Sequence, residues 1–598
     1  MSQSLSTPQG GAAQPRGKSA VTREPPGNPV RFLDMKSLKV LVFLACIAWI
    51  AHFFYFRHFG LYEDDYAHIA PAMGWDLAAL LRHARVFVTW PQGRPIHFFL
   101  PRLFSFIGAG LGGLHTVYVI GFIIVTLNAF LFYILMERTI RSEVLALTGA
   151  LAFCLFPADT THTLLTHALT LQTSLMFLLI ASLCYLSGKR KISYLVALGA
   201  LLTYESPFMV FFGIPLLKDK WDRSLVREYI GHAVILSGII LGVVGIRMFT
   251  GDERLMMMRR TDIFLVPVKI LASVVIGPFA SLLLFFYRPA RTISHWNTGI
   301  ALVFVMCLGV FLWQYHRLRI DSIDERSDYP LSFHSKVFTL SGSLQAPIYY
   351  AGVAKLFLAG IMMLCLAYVV SFTYFPPIAT FGRGTGVHLA AAFGGSIIFA
   401  CLCSLFLSMA NAYGLKRYAI MVLSLYLSLV VGYRFSIQQD FKQSWQNQRW
   451  FWTSVIENSP DMTDGTVILV LRDDLPKTRY ILTNSWADPF ILEQIYQFPK
   501  HWKNPPRLLV VGNNWTQNVI MRGEEWTMPW VGYYEFTLQD SNVILLQMVD
   551  DKLIRADKPV IIRGRTLELK PMQPIANSIS EKGALFRYLI SDSGLRSR

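Results

Sequence analysis

Charge is what this sequence has least of. Only 16% of its 598 residues are Asp, Glu, Lys or Arg, against about 25% in soluble domains, and the deficit is concentrated between Leu38 and Phe435. An ordinary soluble globular chain is excluded on that ground. Cysteine is scarce too: seven in all, each in an apolar stretch and none after Cys403, so neither a disulfide framework nor a Cys-based metal site is readable in the C-terminal region. The nucleotide-binding and acyl-transfer signatures are absent. There is no Walker A loop, no G-x-G-x-x-G and no G-x-S-x-G at a strand–helix junction; the run Phe381-Gly382-Arg383-Gly384-Thr385-Gly386 falls between apolar spans, not after a strand. A nucleotide sugar therefore finds no support as a substrate. No cleavable signal peptide is expected, because no small-residue cleavage site follows the first apolar run. No internal repeat is evident.

What the chain has is apolar length. It is 53% hydrophobic and 14% aromatic, and a helix crosses a bilayer with roughly 20 mostly apolar residues. The pattern predicts a polytopic α-helical membrane protein with about 11–12 transmembrane helices over residues 37–435. Residues 1–36 are expected to be a disordered cytoplasmic tail. Spans are placed at about 38–56, 114–135, 144–156, 165–186, 194–204, 207–217, 230–249, 298–313, 356–372, 389–409 and 419–435. Lys189-Arg190-Lys191 and Lys218-Asp219-Lys220 mark cytoplasmic turns. The segment Ile263–Tyr287 is long enough to cross, but Gly277-Pro278 interrupts it. If it crossed, the basic runs after Trp313 and Met409 would land outside. It is therefore expected to re-enter, which puts the C-terminal region on the same outer face as loop 57–97. The net charge of +17 then reflects cytoplasmic loops and not a nucleic-acid partner.

From Ser436 the texture changes. Phe441, Trp445, Trp450 and Phe451 suggest an amphipathic helix on the membrane surface. The short runs 467–471, 508–511, 543–546 and 559–562, separated by Gly, Pro and Asn, predict strands. Residues 436–598 thus read as a small soluble C-terminal domain, α/β or mostly β.

The strongest chemical signal is Glu63-Asp64-Asp65-Tyr66, just beyond the first span. Three adjacent carboxylates repel one another unless they hold a cation or one keeps a proton. A solvated loop capping the helix near Tyr66 would account for them too, since Asp is a good N-cap. In the same loop, Trp90-Pro91-Gln92-Gly93-Arg94-Pro95 offers a forked donor suited to phosphate.

An acidic pair in the first outer loop, short paired spans around Tyr204-Glu205 and a soluble domain on the same face resemble the GT-C superfamily of membrane glycosyltransferases, which includes protein mannosyltransferases and the aminoarabinose transferase of lipid A. The resemblance covers the whole architecture on thin motif content. It implies an inverting transfer of a sugar from a polyprenyl-phosphate donor to a glycan, lipid or protein acceptor at the outer face. Asp64 or Asp65 matches the family's acidic pair, and one would be the general base. The run Glu63-Asp64-Asp65 departs from a simple pair and leaves open which two are equivalent. If a divalent cation such as Mg or Mn takes part, Asp64 and Asp65 are its candidate ligands.

Arg94 and Arg383 are the candidate donor-phosphate residues; snorkelling at the interface is the plainer account of Arg383. Asp159, His162 and Glu205 are candidate cavity-lining residues, Glu205 because an ionisable side chain at membrane depth is costly. His162 and His167 also suit an ordinary helix start. Asp252-Glu253-Arg254 and Arg259-Arg260 read as self-paired surface charge. The alternatives are a transporter or flippase, a polymerase of lipid-linked glycans, or an inert scaffold. The location expected is the bacterial inner (plasma) membrane, multi-pass, among membrane lipids; the single sequon Asn514-Trp515-Thr516 does not outweigh that.

Overall fold

The structure is a computed structural model. It describes residues 35–90, 93–140, 142–218, 220–251, 264–317, 346–371, 375–472, 475–522, 525–530, 534–573 and 581–590. Residues 1–34 of the expected tail and the 252–260 charge cluster lie outside these, while Met35 and Lys36 already belong to the first helix, Met35–Ala48. Among the described residues, eight helices are long and apolar enough to cross a membrane. They form a bundle with a centre and a rim. Most of the apolar window is buried in Leu114–Ile140 and His167–Leu186, against 17% in Arg223–Thr250, whose outward face carries Val234, Leu241 and Ile246. A helix apolar all round belongs in a core or in lipid. The short apolar helices Pro95–Leu111 and Glu143–Cys154 fill the gaps.

Two expectations are corrected. Leu265–Arg291 is one continuous helix, not one interrupted at Gly277-Pro278. Pro278 removes one backbone donor and leaves the carbonyl one turn back without its helical partner, yet the helix runs on through it, as apolar helices tolerate; the Ser281 hydroxyl donates to the Pro278 carbonyl (3.0 Å). Gly277 lets Tyr368 close on the helix, since a Cβ there would sit 2.3 Å from its ring. The chain stands at the acidic-loop end of the bundle at Arg247, beside Gly93 and Glu205, and again at Arg288, on the Pro157 and Ala158 carbonyls.

The second correction concerns residues 436–458, which are no surface helix. They continue the last apolar span as one 43-residue helix, Lys416–Asn458, roughly 65 Å long at 1.5 Å per residue. The aromatics that looked interfacial face inward. Phe441 packs on Tyr62 with ring centroids 4.8 Å apart, and Trp445 covers Gly60, where a Cβ would collide with the indole at 1.9 Å.

Beyond Asn458 the described residues are strand-rich around a mixed sheet, with α-helix confined to the single turns Leu492–Ile495 and Phe586–Leu589. The described strands are β1 Val467–Leu471, β2 Tyr496–Gln497, β3 Arg507–Val511, β4 Ile520–Arg522, β5 Glu525–Trp530, β6 Tyr534–Leu538, β7 Val543–Val549, β8 Lys552–Arg555, β9 Val560–Ile562, β10 Arg565–Leu567 and β11 Glu581–Lys582. Their central sheet has the order β3-β1-β7-β8, and β1 pairs in parallel with both β3 and β7. Strands buried on both faces need continuous apolar runs, which Val467-Ile468-Leu469-Val470 supplies. A separate antiparallel sheet joins β4, β5 and β6.

The acidic-loop end is fastened by two arginines. The helix Glu143–Cys154 stops there, leaving carbonyls that its own backbone cannot satisfy. Arg434, fully buried, donates to the carbonyls of Leu155 (3.1 Å), Phe156 and Asp159. Arg288 donates to Pro157 (3.1 Å), Ala158 (2.9 Å) and Thr380. Five consecutive carbonyls are thus held by two guanidiniums. Arg434→Met keeps the volume and strands three acceptors, at about 1–3 kcal/mol for each that finds no water. Thermal unfolding of the purified chain should show a clear drop in melting temperature; an unchanged melt would mean that the clamp contributes nothing.

Candidate functional site

The three carboxylates of the acidic run are separated by the backbone. Glu63 adopts φ +45°, a left-handed conformation uncommon outside glycine. On either side the turn is tied by Asp65 N–H to the Tyr62 carbonyl (2.8 Å) and by Ala67 and His68 N–H to the Asp64 carbonyl (both 3.1 Å). Glu63 and Asp64 then address one guanidinium while Asp65 turns into the protein.

Asp65 is fully buried and already occupied. One oxygen accepts from the Thr166 N–H (2.7 Å) and hydroxyl (2.6 Å), the other from the Tyr62 N–H (3.2 Å). It acts as an N-cap supplied from a distant loop, where the helix leading into the π-helical turn His167–Leu171 begins. The expected cap on the helix near Tyr66 is not made: Asp64, the N-cap of the helix Asp65–His68, gives it no side-chain bond, and buried Asp65 caps the Thr166 end instead. Burial pushes its carboxyl up to about 7 against the pull of the Thr166 and Tyr62 donors.

Asp64 lies at the rim, its side chain 19% exposed. Its Oδ1 accepts from the Arg383 guanidinium and from the Trp486 indole N–H (2.7 Å). Glu63 is more deeply set. Its Oε2 lies 3.4 Å from Arg383 Nε, and its Oε1 accepts a 3.4 Å bond from the Leu482 N–H. Burial pushes Glu63 up to about 7, Arg383 pulling it down and Asp64 pushing it further up.

Arg383 is aimed by its flanks. Gly382, at φ +64°, donates its N–H to the Tyr480 carbonyl (3.1 Å). Thr385 accepts from the Thr160 N–H (3.0 Å), tying the Arg383–His388 turn to the arginine-clamped loop. His388 closes the turn between the Tyr368 hydroxyl (2.7 Å) and the Ala379 carbonyl (3.0 Å). Gly386 permits the close approach of His167, whose Cε1 would stand 2.8 Å from an added Cβ.

The remaining predicted residues fall into two other groups. Arg94 does not stand beside Arg383. It forks onto Glu205, its Nε 2.8 Å from Oε1, and Arg247 donates to the same Oε1 at 2.7 Å and to the Gly93 carbonyl at 3.1 Å. Burial would raise the Glu205 carboxyl, but the two guanidiniums hold it well below the carboxylate range. The group carries one net positive charge, and the Arg94 guanidinium lies over the Tyr204 ring (4.9 Å). Asp159 and His162 are buried with each other, 3.7 Å apart, with His52 stacked on His162 at 4.5 Å. Asp159 Oδ1 accepts from the Thr161 N–H (2.9 Å) and hydroxyl (2.6 Å), and among the described residues neither side chain bonds the acidic run.

Sequence reasoning missed Trp486, Leu482 and Arg247, which come from far along the chain, and His68, which neighbours His97 (ring centroids 6.4 Å). Burial, with Arg102 beside it, holds the His68 ring down to about 4. No spacing rule would have found them. The indole of Trp486 was findable only as one of fourteen tryptophans.

Among the described residues no group of three His, Cys, Asp or Glu side chains converges to hold a metal ion. The pair Asp64 and Asp65 does not fit a divalent cation as it stands, because Asp65 is saturated by donors and Asp64 Oδ1 is shared by a guanidinium and an indole. No protein-family model matches the chain, and neither a curated protein nor a solved structure is similar to it.

The raised carboxyls set a pH dependence. Burial also lifts Asp488, two residues after Trp486, to about 7. A group that binds its proton more tightly when folded contributes stability in full below its unfolded pKa, near 4.5 for Glu63, and loses it as pH rises through about 7. Buried His68, held down to about 4, acts in the opposite sense and gains stability as pH rises toward 6.5, so the comparison with Glu63→Gln isolates the carboxyl: the melting temperature of the wild type relative to Glu63→Gln should fall as pH rises from about 5 to 7. A difference between the two that does not change with pH would contradict the assignment.

Proposed function

We propose that this chain is a multi-pass integral membrane enzyme, in the bacterial inner membrane, that transfers a sugar with inversion from a polyprenyl-phosphate donor to an acceptor at the outer face. The observation that carries the reading is Asp64. It is one rim carboxylate with both bonded donors on a single oxygen, facing an arginine whose side chain is 43% exposed. Oδ1 is taken, and Oδ2 accepts no hydrogen bond from any described residue, so it is the oxygen placed to receive a proton.

The chemistry balances without a further reactant. Asp64 Oδ2 takes the acceptor hydroxyl proton as that oxygen attacks the anomeric carbon. The bond to the lipid phosphate oxygen breaks on the opposite face, and the electron pair leaves with the phosphate. Arg383 is the residue suited to that developing charge: its planar fork matches phosphate, and its exposure lets it turn from the carboxylates. Arg94 and Arg247, with one net positive charge between them and Glu205, supply a second electropositive wall. Asp65 is a structural cap in this account, and Glu63 holds a proton reserve beside the base.

Membrane residence is supported by the eight apolar helices and by the basic groups at the far end of the bundle. There Lys218 and Arg190 converge on Glu228 (2.7 and 2.9 Å), and Lys36 sits between Glu137 and Glu143 (both 3.3 Å), as cytoplasmic ends require.

Purified protein in lipid vesicles, given a panel of polyprenyl-phosphate sugars and acceptors, should transfer sugar with inverted configuration. Asp64→Asn should lower kcat on the order of 10²–10⁴-fold with the fold intact. Undiminished transfer by Asp64→Asn would remove the base from the account.

A further inference from the structure

Three contacts run from one short segment of the C-terminal domain to the acidic end of the bundle. The Tyr480 carbonyl holds the Gly382 N–H, next to Arg383 (3.1 Å). The Leu482 N–H reaches Glu63 (3.4 Å), and the Trp486 indole reaches Asp64 (2.7 Å). The segment is itself secured. Asp440, on the long helix, accepts from the Arg479 N–H (2.9 Å) and from Tyr480, and the Trp530 indole donates to the Trp486 carbonyl (3.1 Å). Trp530 ends β5, so the brace comes from the antiparallel sheet.

We infer that Trp486 is a positioning residue for the transfer: its indole N–H fixes Asp64 Oδ1 so that Oδ2 stays aimed at the acceptor, which makes the C-terminal domain a working part of the active site. This rests on the glycosyltransferase reading above. The argument is one of division of labour. Arg383 and Trp486 bond the same oxygen, but they differ in what they can do during a reaction. Arg383 is charged, substantially exposed and fork-shaped, so a phosphate dianion competes with Asp64 for it. When the guanidinium turns to the leaving group, an aspartate held by nothing else is free to rotate about its two side-chain torsions, and the basic oxygen loses its aim. The indole donor is neutral and has no reason to follow the phosphate. Its backbone is tied by Trp530, and its ring is partly buried. A general base works only within hydrogen-bond reach of its proton, and misplacement of about 1 Å costs on the order of 10²-fold.

The test replaces the donor and keeps the ring. In the full-length protein, Trp486→Phe should lower kcat about 10- to 100-fold, the range expected when a bond to a charged group is lost, while KM for the lipid-linked donor changes less than about 2-fold. Trp486→His, which restores an N–H on a planar ring, should recover most of the rate. A purely structural tryptophan would instead lower the amount of folded enzyme, leave kcat per folded molecule unchanged and gain nothing from histidine; that outcome overturns the inference. An activity-independent reading separates it from the function itself. With 5-fluorotryptophan incorporated, the Trp486 fluorine resonance, identified by its loss in Trp486→Phe, should move on Asp64→Asn. A resonance that does not respond also overturns the inference. A wild type that transfers no sugar from any polyprenyl-phosphate donor sinks the glycosyltransferase reading instead, and the fluorine shift still decides whether the indole holds Asp64.

Discussion

Where apolar helices stop, their last carbonyls need donors, and in this protein two buried guanidiniums supply them. Arg434 and Arg288 gather five consecutive carbonyls from Leu155 to Asp159. An unpaired carbonyl in such surroundings costs about 1–3 kcal/mol, so this loop has one comfortable conformation. Everything at the acidic end is built outward from it. Thr160, at its edge, takes hold of Thr385, which sets the turn that carries Arg383. Thr166, a few residues on, takes hold of Asp65, which sets the turn that carries Glu63 and Asp64. The two halves of the ion pair are therefore positioned from the same loop, although they lie 319 residues apart.

The long helix Lys416–Asn458 extends this frame out of the apolar zone. Its inward face receives Tyr62 at the Phe441 carbonyl (2.8 Å), Tyr66 at Gln448 and the C-terminal domain at Asn458, which bonds the Leu553 carbonyl (2.8 Å). A rigid rod shared by the bundle and the domain is what lets Trp486 reach Asp64 across 422 residues of sequence. The site is rigid from below and from above, and its exposed members are the rim oxygen of Asp64 and the head of Arg383.

Much of the frame was legible. Apolar runs gave most helices of the bundle, because nothing competes with burial over twenty apolar positions, but their ends were less legible: the run placed at 356–372 is the helix Ala346–Leu366, and Pro95–Leu111 was not placed as a span. The strands at 467–471 and 543–546 were legible for the same reason. Two features of pattern misled. Phe441, Trp445 and Phe451 have the spacing of a surface-seeking face, and periodicity cannot say whether an apolar stripe meets lipid or protein. Pro278 is read as a break when only the chain is seen, whereas the helix runs through it unbroken and Tyr368 packs against Gly277 beside it.

At the site, the acidic run and Arg383 were legible as residue types in loops. The division between them was not. Whether Asp64 or Asp65 turns inward depends on one left-handed residue, Glu63, which no spacing rule announces. Arg94 as a phosphate ligand and Glu205 as a cavity residue were read separately; their mutual pairing, and the arrival of Arg247, are tertiary facts.

The central claim is that loop 57–97 and the C-terminal domain meet on one side of a membrane, opposite the basic turns. Single cysteines at Arg82, Lys552 and Lys191, in a chain cleared of its native seven, put that to a membrane-impermeant maleimide in intact cells; all three side chains are exposed. The account predicts that Arg82→Cys and Lys552→Cys label at once, and that Lys191→Cys labels only after the membrane is opened. Labelling of Arg82→Cys and Lys552→Cys from opposite sides would contradict it, because Trp486 could then never reach Asp64.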